Sequence, residues 1–167
     1  MMHTGRFPMV DRAQRRAAVA KDDRKALALI VACFVFYATT LWATLVLPWW
    51  AAVVAAVLNG VAIGQLFVIG HDACHLAFLS TPRANRIFGR LVYLPSLTPF
   101  SIWHLIRNVR HHGHSNVRHC DGVWEPIDLA DYQALSGPRR ALYRFYRSHA
   151  GVLSYYFIDY WLRQFAW

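Results

Sequence analysis

Between Lys25 and Asp72 the sequence has no aspartate, glutamate, lysine or arginine. An ordinary soluble domain carries about 25% charged residues spread along the chain, and a water-facing surface cannot be built from so long a stretch without them. Over all 167 residues, charged side chains make up 16% and apolar ones 56%, and mean hydropathy is positive. This scarcity of charge excludes a disordered tail and a nucleic-acid-binding module, despite a formal net charge of +9. Cysteine is scarce as well. Cys33, Cys74 and Cys120 are an odd set that makes no disulfide framework, and Cys33, inside the apolar block, reads as packing. Glutamate is nearly absent, Glu125 being the only one. A carboxylate-bridged di-iron bundle of the soluble type needs Glu-x-x-His pairs and is thereby excluded. A zincin fails too, because Asp72 stands where its helical His-x-x-x-His pair needs a glutamate base.

What is present is an apolar block from Ala26 to Ile69, with seven Lys or Arg before it and eleven Arg after it. A bilayer core takes about 20 apolar residues as helix, so the block is too long for one span and long enough for two. Pro48 divides it, and Trp49 and Trp50 suit a membrane interface. The pattern predicts helices over about 26–47 and 49–70, antiparallel, with both basic flanks on the cytoplasmic side. A cleaved signal peptide is disfavoured by the long N-terminal segment with its acids Asp11, Asp22 and Asp23. Gly60-x-x-x-Gly64, with Asn59 and Gln65, reads as helix packing. Residues 87–102, interrupted by Arg90, Pro95 and Pro99, are too short and broken for a third span. The expected organisation is a basic cytoplasmic segment over 1–25, a transmembrane hairpin over 26–70 and a cytoplasmic histidine-rich region over 71–150. An aromatic interfacial segment, or the start of a further membrane helix, follows over 151–167. The fold class is all-α and integral membrane, a multi-pass hairpin with a cytoplasmic helical cap.

Seven of the nine histidines fall between positions 71 and 119. His71-Asp72-Ala73-Cys74-His75 follows the second membrane helix; if that helix continues, positions i and i+4 place both imidazoles on one face, within reach of one metal ion. A second helix should start after Pro99 and Ser101 and stop near Gly113. On it, His104 and His111 lie seven apart, nearly on one face and about 10.5 Å apart along the axis, a spacing for two ions in a row. His111 and His112 are adjacent. Isolated histidines such as His3 and His149 read as surface residues, but these two pairs together read as metal ligands. Imidazole suits iron, zinc, copper and nickel alike. A structural zinc site on Cys74, Cys120 and histidines stays open at this point.

At these residues the sequence resembles the membrane fatty-acid desaturases, the integral-membrane di-iron enzymes with three histidine boxes. HDACH at 71–75 resembles their first box, and RNVRHHGHSN at 107–116 is similar to the HNxxHHxxTN form of their second. The following Asp121-Gly-Val-Trp124-Glu-Pro126 and the run from Arg144 to Trp161, with Tyr143, Tyr146, Gly151, Tyr155 and Tyr156, are also similar. The likeness covers roughly residues 60–165. It implies two irons held by His71, His75, His111 and His112, with Asp72 and Asn116 orienting them from behind. It also implies oxygen-dependent introduction of a double bond into a lipid acyl chain. A separate electron donor such as a ferredoxin is implied, since no flavin or nicotinamide motif occurs, and self-association is open. Related boxes serve lipid or carotenoid hydroxylases and ketolases. Two features depart from the pattern. Arg107, a permanent cation, stands where the second box begins with histidine, with His104 and then His114 as candidate replacements. The third box is not among these 167 residues. The expectation is therefore a truncated desaturase-like chain, with a non-catalytic membrane remnant or metal-binding subunit as the alternative.

Overall fold

Asp22 accepts hydrogen bonds at Oδ1 from the backbone N–H groups of Arg24 and Lys25, at 3.1 and 3.2 Å, and so caps the first helix. These backbone bonds, with Lys25 beside them, hold its carboxyl below the usual range and keep the cap ionised. The chain, a computed structural model, is described over residues 20–114, 117, 120 and 126–165, apart from the side chain of Gln164. Its described residues fall into two compact units, one up to Val92 and one from Tyr93 onward. All regular structure among the described residues is helical.

In the first unit, α1 (Asp23–Val46) and α2 (Trp49–Cys74) form an antiparallel hairpin about the break at Leu47 and Pro48. The boundaries differ from the sequence expectation at the ends away from this turn. Asp22 supplies an earlier start, and nothing in the chain breaks α2 until His75. Both helices are long and apolar enough to cross a membrane, at about 36 and 39 Å for a rise of about 1.5 Å per residue. Their outer faces need lipid or further protein, because Val31, Leu45 and Val57 stand 61%, 76% and 65% exposed. Helices apolar on every side have no solvent-facing stripe.

Ile30 and Cys33 of α1 and Ala55, Ala62, Leu66 and Ile69 of α2 are buried in this unit. Asn59 clasps the two helices: its Nδ2 donates to Tyr37 O and to Thr40 Oγ1, both at 3.0 Å. Such bonds satisfy a polar group that hydrocarbon would leave unpaired, and contribute about 0.6–2 kcal/mol. The glycine motif does not act as expected. A Cβ built on Gly60 or Gly64 would meet nothing within 4 Å, so the close contact is made by alanines and Asn59 while both glycines face open space. Beyond the hairpin, Thr81 caps α3 (Pro82–Tyr93) through Oγ1 to Ala84 N at 3.2 Å, with proline at the first helical position.

In the second unit a 3₁₀ turn over Leu94–Ser96 ends at Leu97, whose φ is 52°. Pro99 then opens α4 (Phe100–Leu105), which runs through a π-helical stretch, Ile106–His111, into α5 (His112–His114). After α6 (Leu129–Ala134) and α7 (Gly137–Tyr146) come α8 (Val152–Tyr155), a second π-helical stretch over Tyr156–Leu162, and α9 (Arg163–Phe165). The unit is held by aromatic packing. Trp103 meets Tyr93, Tyr160 and Phe165 at centroid distances of 6.2, 6.3 and 6.4 Å. Burial, with the neighbouring Asp159 carboxylate that Tyr146 hydrogen-bonds, holds the Tyr146 phenol above its usual range and keeps it a neutral donor. Gly151 allows the corner between α7 and α8, where a Cβ would lie 2.0 Å from the carbonyl oxygen of Phe145.

Candidate metal centre

Helix α2 continues past its apolar stretch to Cys74, so His71 lies on its last turn and His75 caps it. Their Nε2 atoms are 3.4 Å apart and their ring centroids 4.7 Å apart. For metal–nitrogen bonds of about 2.1 Å, two nitrogens at the tetrahedral angle stand about 3.4 Å apart, so this pair fits one ion as two of its donors. The other ring nitrogen of His71, Nδ1, lies 3.4 Å from Asp72 Oδ1. A carboxylate behind a ligating imidazole selects its tautomer and orients the ring. His71 is the more sheltered partner, its side chain 28% exposed against 52% for Asp72.

The helix ends there by a Schellman motif. Leu76 N donates to Ala73 O at 3.0 Å and Ala77 N to Asp72 O at 3.0 Å, while Leu76 sits in the left-handed region with φ 55°. Glycine is the usual residue at such a position, and leucine there is strained by about 1–2 kcal/mol. The loop is held from outside. Lys21 Nζ donates to Leu76 O at 2.5 Å and to Leu79 O at 3.1 Å. Asp23 accepts from Ser80 N at 2.7 Å and from the Ser80 hydroxyl. The fully buried Asn85 side chain accepts from Phe78 N and Leu79 N and donates to Leu79 O and Thr81 O. Nothing in the sequence marks Lys21, Asp23, Leu76 or Asn85 for this role. Only the Thr81-Pro82 helix start, four residues before Asn85, signals that this loop ends in a defined place.

His104, His111 and His112 belong to the second unit. His104 packs against Phe100 with ring centroids 6.1 Å apart. The expected common stripe of His104 and His111 does not form, because the π-helical stretch between them closes i→i+5 bonds and its wider turns carry His111 away from that stripe. His111 and His112 meet edge to face, with centroids 5.3 Å apart. Neighbours on a helix project about 100° apart, so these two do not share one face as His71 and His75 do. Arg107 lies on the same π-helical stretch, and its Nε is buried without a hydrogen-bond partner among the described residues. Asn116, expected to orient a ligand, lies outside the described residues. Among those residues no group of three or more His, Cys, Asp or Glu side chains is gathered to hold an ion, and this applies equally to a zinc site on Cys74 and Cys120.

A groove of about 580 Å³ runs along the hairpin, lined by Leu29 and Cys33 of α1 and by Val61, Gln65, Val68 and Ile69 of α2, among others. It reaches to within two residues of His71.

The chain is similar to an omega-6 fatty acid desaturase, chloroplastic, of Glycine max, 31% identical over 121 residues, which are 72% of this chain and 28% of that protein. It is similar to the corresponding Arabidopsis thaliana protein at 31% over 72% of this chain and 27% of that one. The sn-1 oleoyl-lipid 12-desaturase of Synechocystis is 32% identical over 98 residues, 59% of this chain and 28% of that protein. The chain thus spans less than a third of the length of these curated relatives. No solved structure matches it. The family described as Fatty acid desaturase matches over residues 47–167, which include both histidine motifs, and the chain belongs to that family.

Proposed function

We propose that the chain supplies histidine-held iron to the oxygen-dependent desaturation of lipid acyl chains at the cytoplasmic face of a membrane. The observation that carries this reading is the His71–His75 pair, 3.4 Å apart at the end of an apolar membrane-length helix. His71, His75, His111 and His112 are the ligands, and His104 is a further donor in place of Arg107. Bound iron supplies the activation of dioxygen that removes hydrogen from an unactivated methylene pair. The chain's own residues hold and orient. Asp72 keeps His71 in the tautomer that leaves Nε2 free to ligate. The groove lined by Leu29, Cys33, Val61 and Val68 seats an acyl chain and keeps water from it. Region 71–150 forms the cytoplasmic cap and 151–167 lies at the interface. Electrons come from a separate donor of the ferredoxin type, for which the exposed Arg139 and Arg144 on α7 offer complementary charge to an acidic surface.

Iron content tests the reading. The purified chain in detergent micelles, loaded with ferrous iron without oxygen, is expected to retain iron, and a variant with alanine at all four ligand histidines is expected to retain only background. Equal iron in both overturns it. Sidedness is tested by cysteine labelling in membranes. Thr4→Cys and Ser136→Cys should react from the cytoplasmic side and Trp49→Cys from the other, and Thr4 and Ser136 on opposite sides would remove the hairpin topology. A second reading, a non-catalytic metal-binding membrane protein, is favoured by one observation, the guanidinium of Arg107 at a ligand position.

A further inference from the structure

We infer that Lys21 and Asp23, with Asn85, are positioning residues that lock the end of α2 and thereby hold His71 and His75 in ligating register. The inference rests on the proposed role of that pair as metal ligands. Lys21 and Asp23 lie at the head of α1, outside the family-matched stretch 47–167, in a segment whose sequence shows only a helix start.

His75 keeps its place opposite His71 only while the last turn of α2 stays wound, and that turn is closed by the bonds from Leu76 N to Ala73 O and from Ala77 N to Asp72 O. The second of these requires Leu76 to stay at φ 55°, a conformation that leucine by itself leaves. A strained residue persists only where its surroundings over-determine it, and here three groups do so. The Lys21 ammonium bridges Leu76 O and Leu79 O, placing a positive charge at the negative pole of α2. Asp23 takes the N–H and the hydroxyl of Ser80 on its two oxygens. Asn85, buried beneath the loop, bonds the backbone of Phe78, Leu79 and Thr81. The head of one membrane-length helix, with the residue before its cap, therefore fastens the histidine-bearing end of the next.

The test uses the full chain in lipid nanodiscs and two readouts independent of turnover. Hydrogen exchange is followed at the amides of Leu79 and Ser80. Cobalt(II) is titrated by its visible absorption, and the part of the signal lost in the double variant His71→Ala, His75→Ala defines the pair. Lys21→Met and Asp23→Asn are each expected to speed exchange at least tenfold and to weaken cobalt binding by the pair about 10–100-fold, the range for loss of a group that orients a ligand. Lys21→Arg should restore both, since a guanidinium donates to two carbonyls as the ammonium does. Asn85 is fully buried and its replacement risks misfolding, so the test rests on the Lys21 and Asp23 variants, which leave it in place. Unchanged exchange in Lys21→Met and Asp23→Asn would overturn the clamp. Faster exchange with unchanged cobalt binding by the pair would overturn its positioning role. A failure of the metal reading itself is recognised separately, as a chain whose cobalt signal is the same with and without His71 and His75.

Discussion

Alanine at His71 or His75 should weaken iron binding by more than ~100-fold, whereas Asp72→Asn should weaken it by about 10–100-fold, because loss of a ligand usually exceeds loss of the group behind it. The order follows from the geometry. The two Nε2 atoms face each other at 3.4 Å, and Asp72 reaches only the far nitrogen of His71. Either alanine leaves a single imidazole on that face of α2. Asp72 is half exposed, so water takes over part of its role and asparagine keeps its shape. His112→Ala should fall with the ligand group. The measurement is iron retained per chain across a chelator series. If His112→Ala binds iron as tightly as the unmodified chain, the assignment at that position fails. If Asp72→Asn is as damaging as His71→Ala, the carboxylate is itself a ligand.

Arg107→His should raise metal occupancy without producing desaturation by residues 1–167. A like charge about 6 Å from a cation costs on the order of 3 kcal/mol at an effective dielectric near 20, roughly a hundredfold in affinity. Arg107 is partly exposed, so solvent screening reduces the expected gain to about tenfold. Its buried Nε has no hydrogen-bond partner among the described residues, so exchanging it for imidazole also removes an unsatisfied donor. Turnover is a different matter. His71, His75, His111 and His112, with His104 set apart from His111 by the π-helical stretch, are few nitrogens for two irons. The check is lipid analysis of cells expressing residues 1–167 with an electron donor, with and without the substitution. New unsaturated acyl chains that disappear with His71→Ala would show that the imidazoles present suffice, and would overturn this prediction.

The hairpin and the first histidine pair were legible because each depends on short-range rules. An uncharged block of that length has no water-soluble solution, and Pro48 has one place to act. His71 and His75 meet by helical spacing alone once α2 runs through to Cys74. The second motif was less legible. His104 and His111 are seven apart in a pattern that looks α-helical, and no residue type marks the change to i→i+5 bonding over Ile106–His111. Aromatic packing of Trp103 against Tyr93, Tyr160 and Phe165 surrounds the start of that run. The glycines were misread for a related reason. Gly60 and Gly64 have the spacing of a helix contact, but rotation of α2 about its axis decides which stripe faces α1, and Asn59 with its bonds to Tyr37 and Thr40 sets that rotation.

By itself the sequence determined the helical class, the two apolar spans and the family, through the boxes at 71–75 and 107–116. It also determined that glutamate is almost absent while seven histidines gather between positions 71 and 119. These properties belong to composition and to residues within a few turns of one another. Only the tertiary structure decided how α2 ends. Leu76 is a poor residue for its left-handed conformation, and no local pattern announces it. Lys21 and Asp23, more than fifty residues away in sequence, hold the loop there together with the buried Asn85. An ammonium and a carboxylate at the head of α1 can meet the backbone beyond His75 only because the antiparallel hairpin returns the chain to the same end.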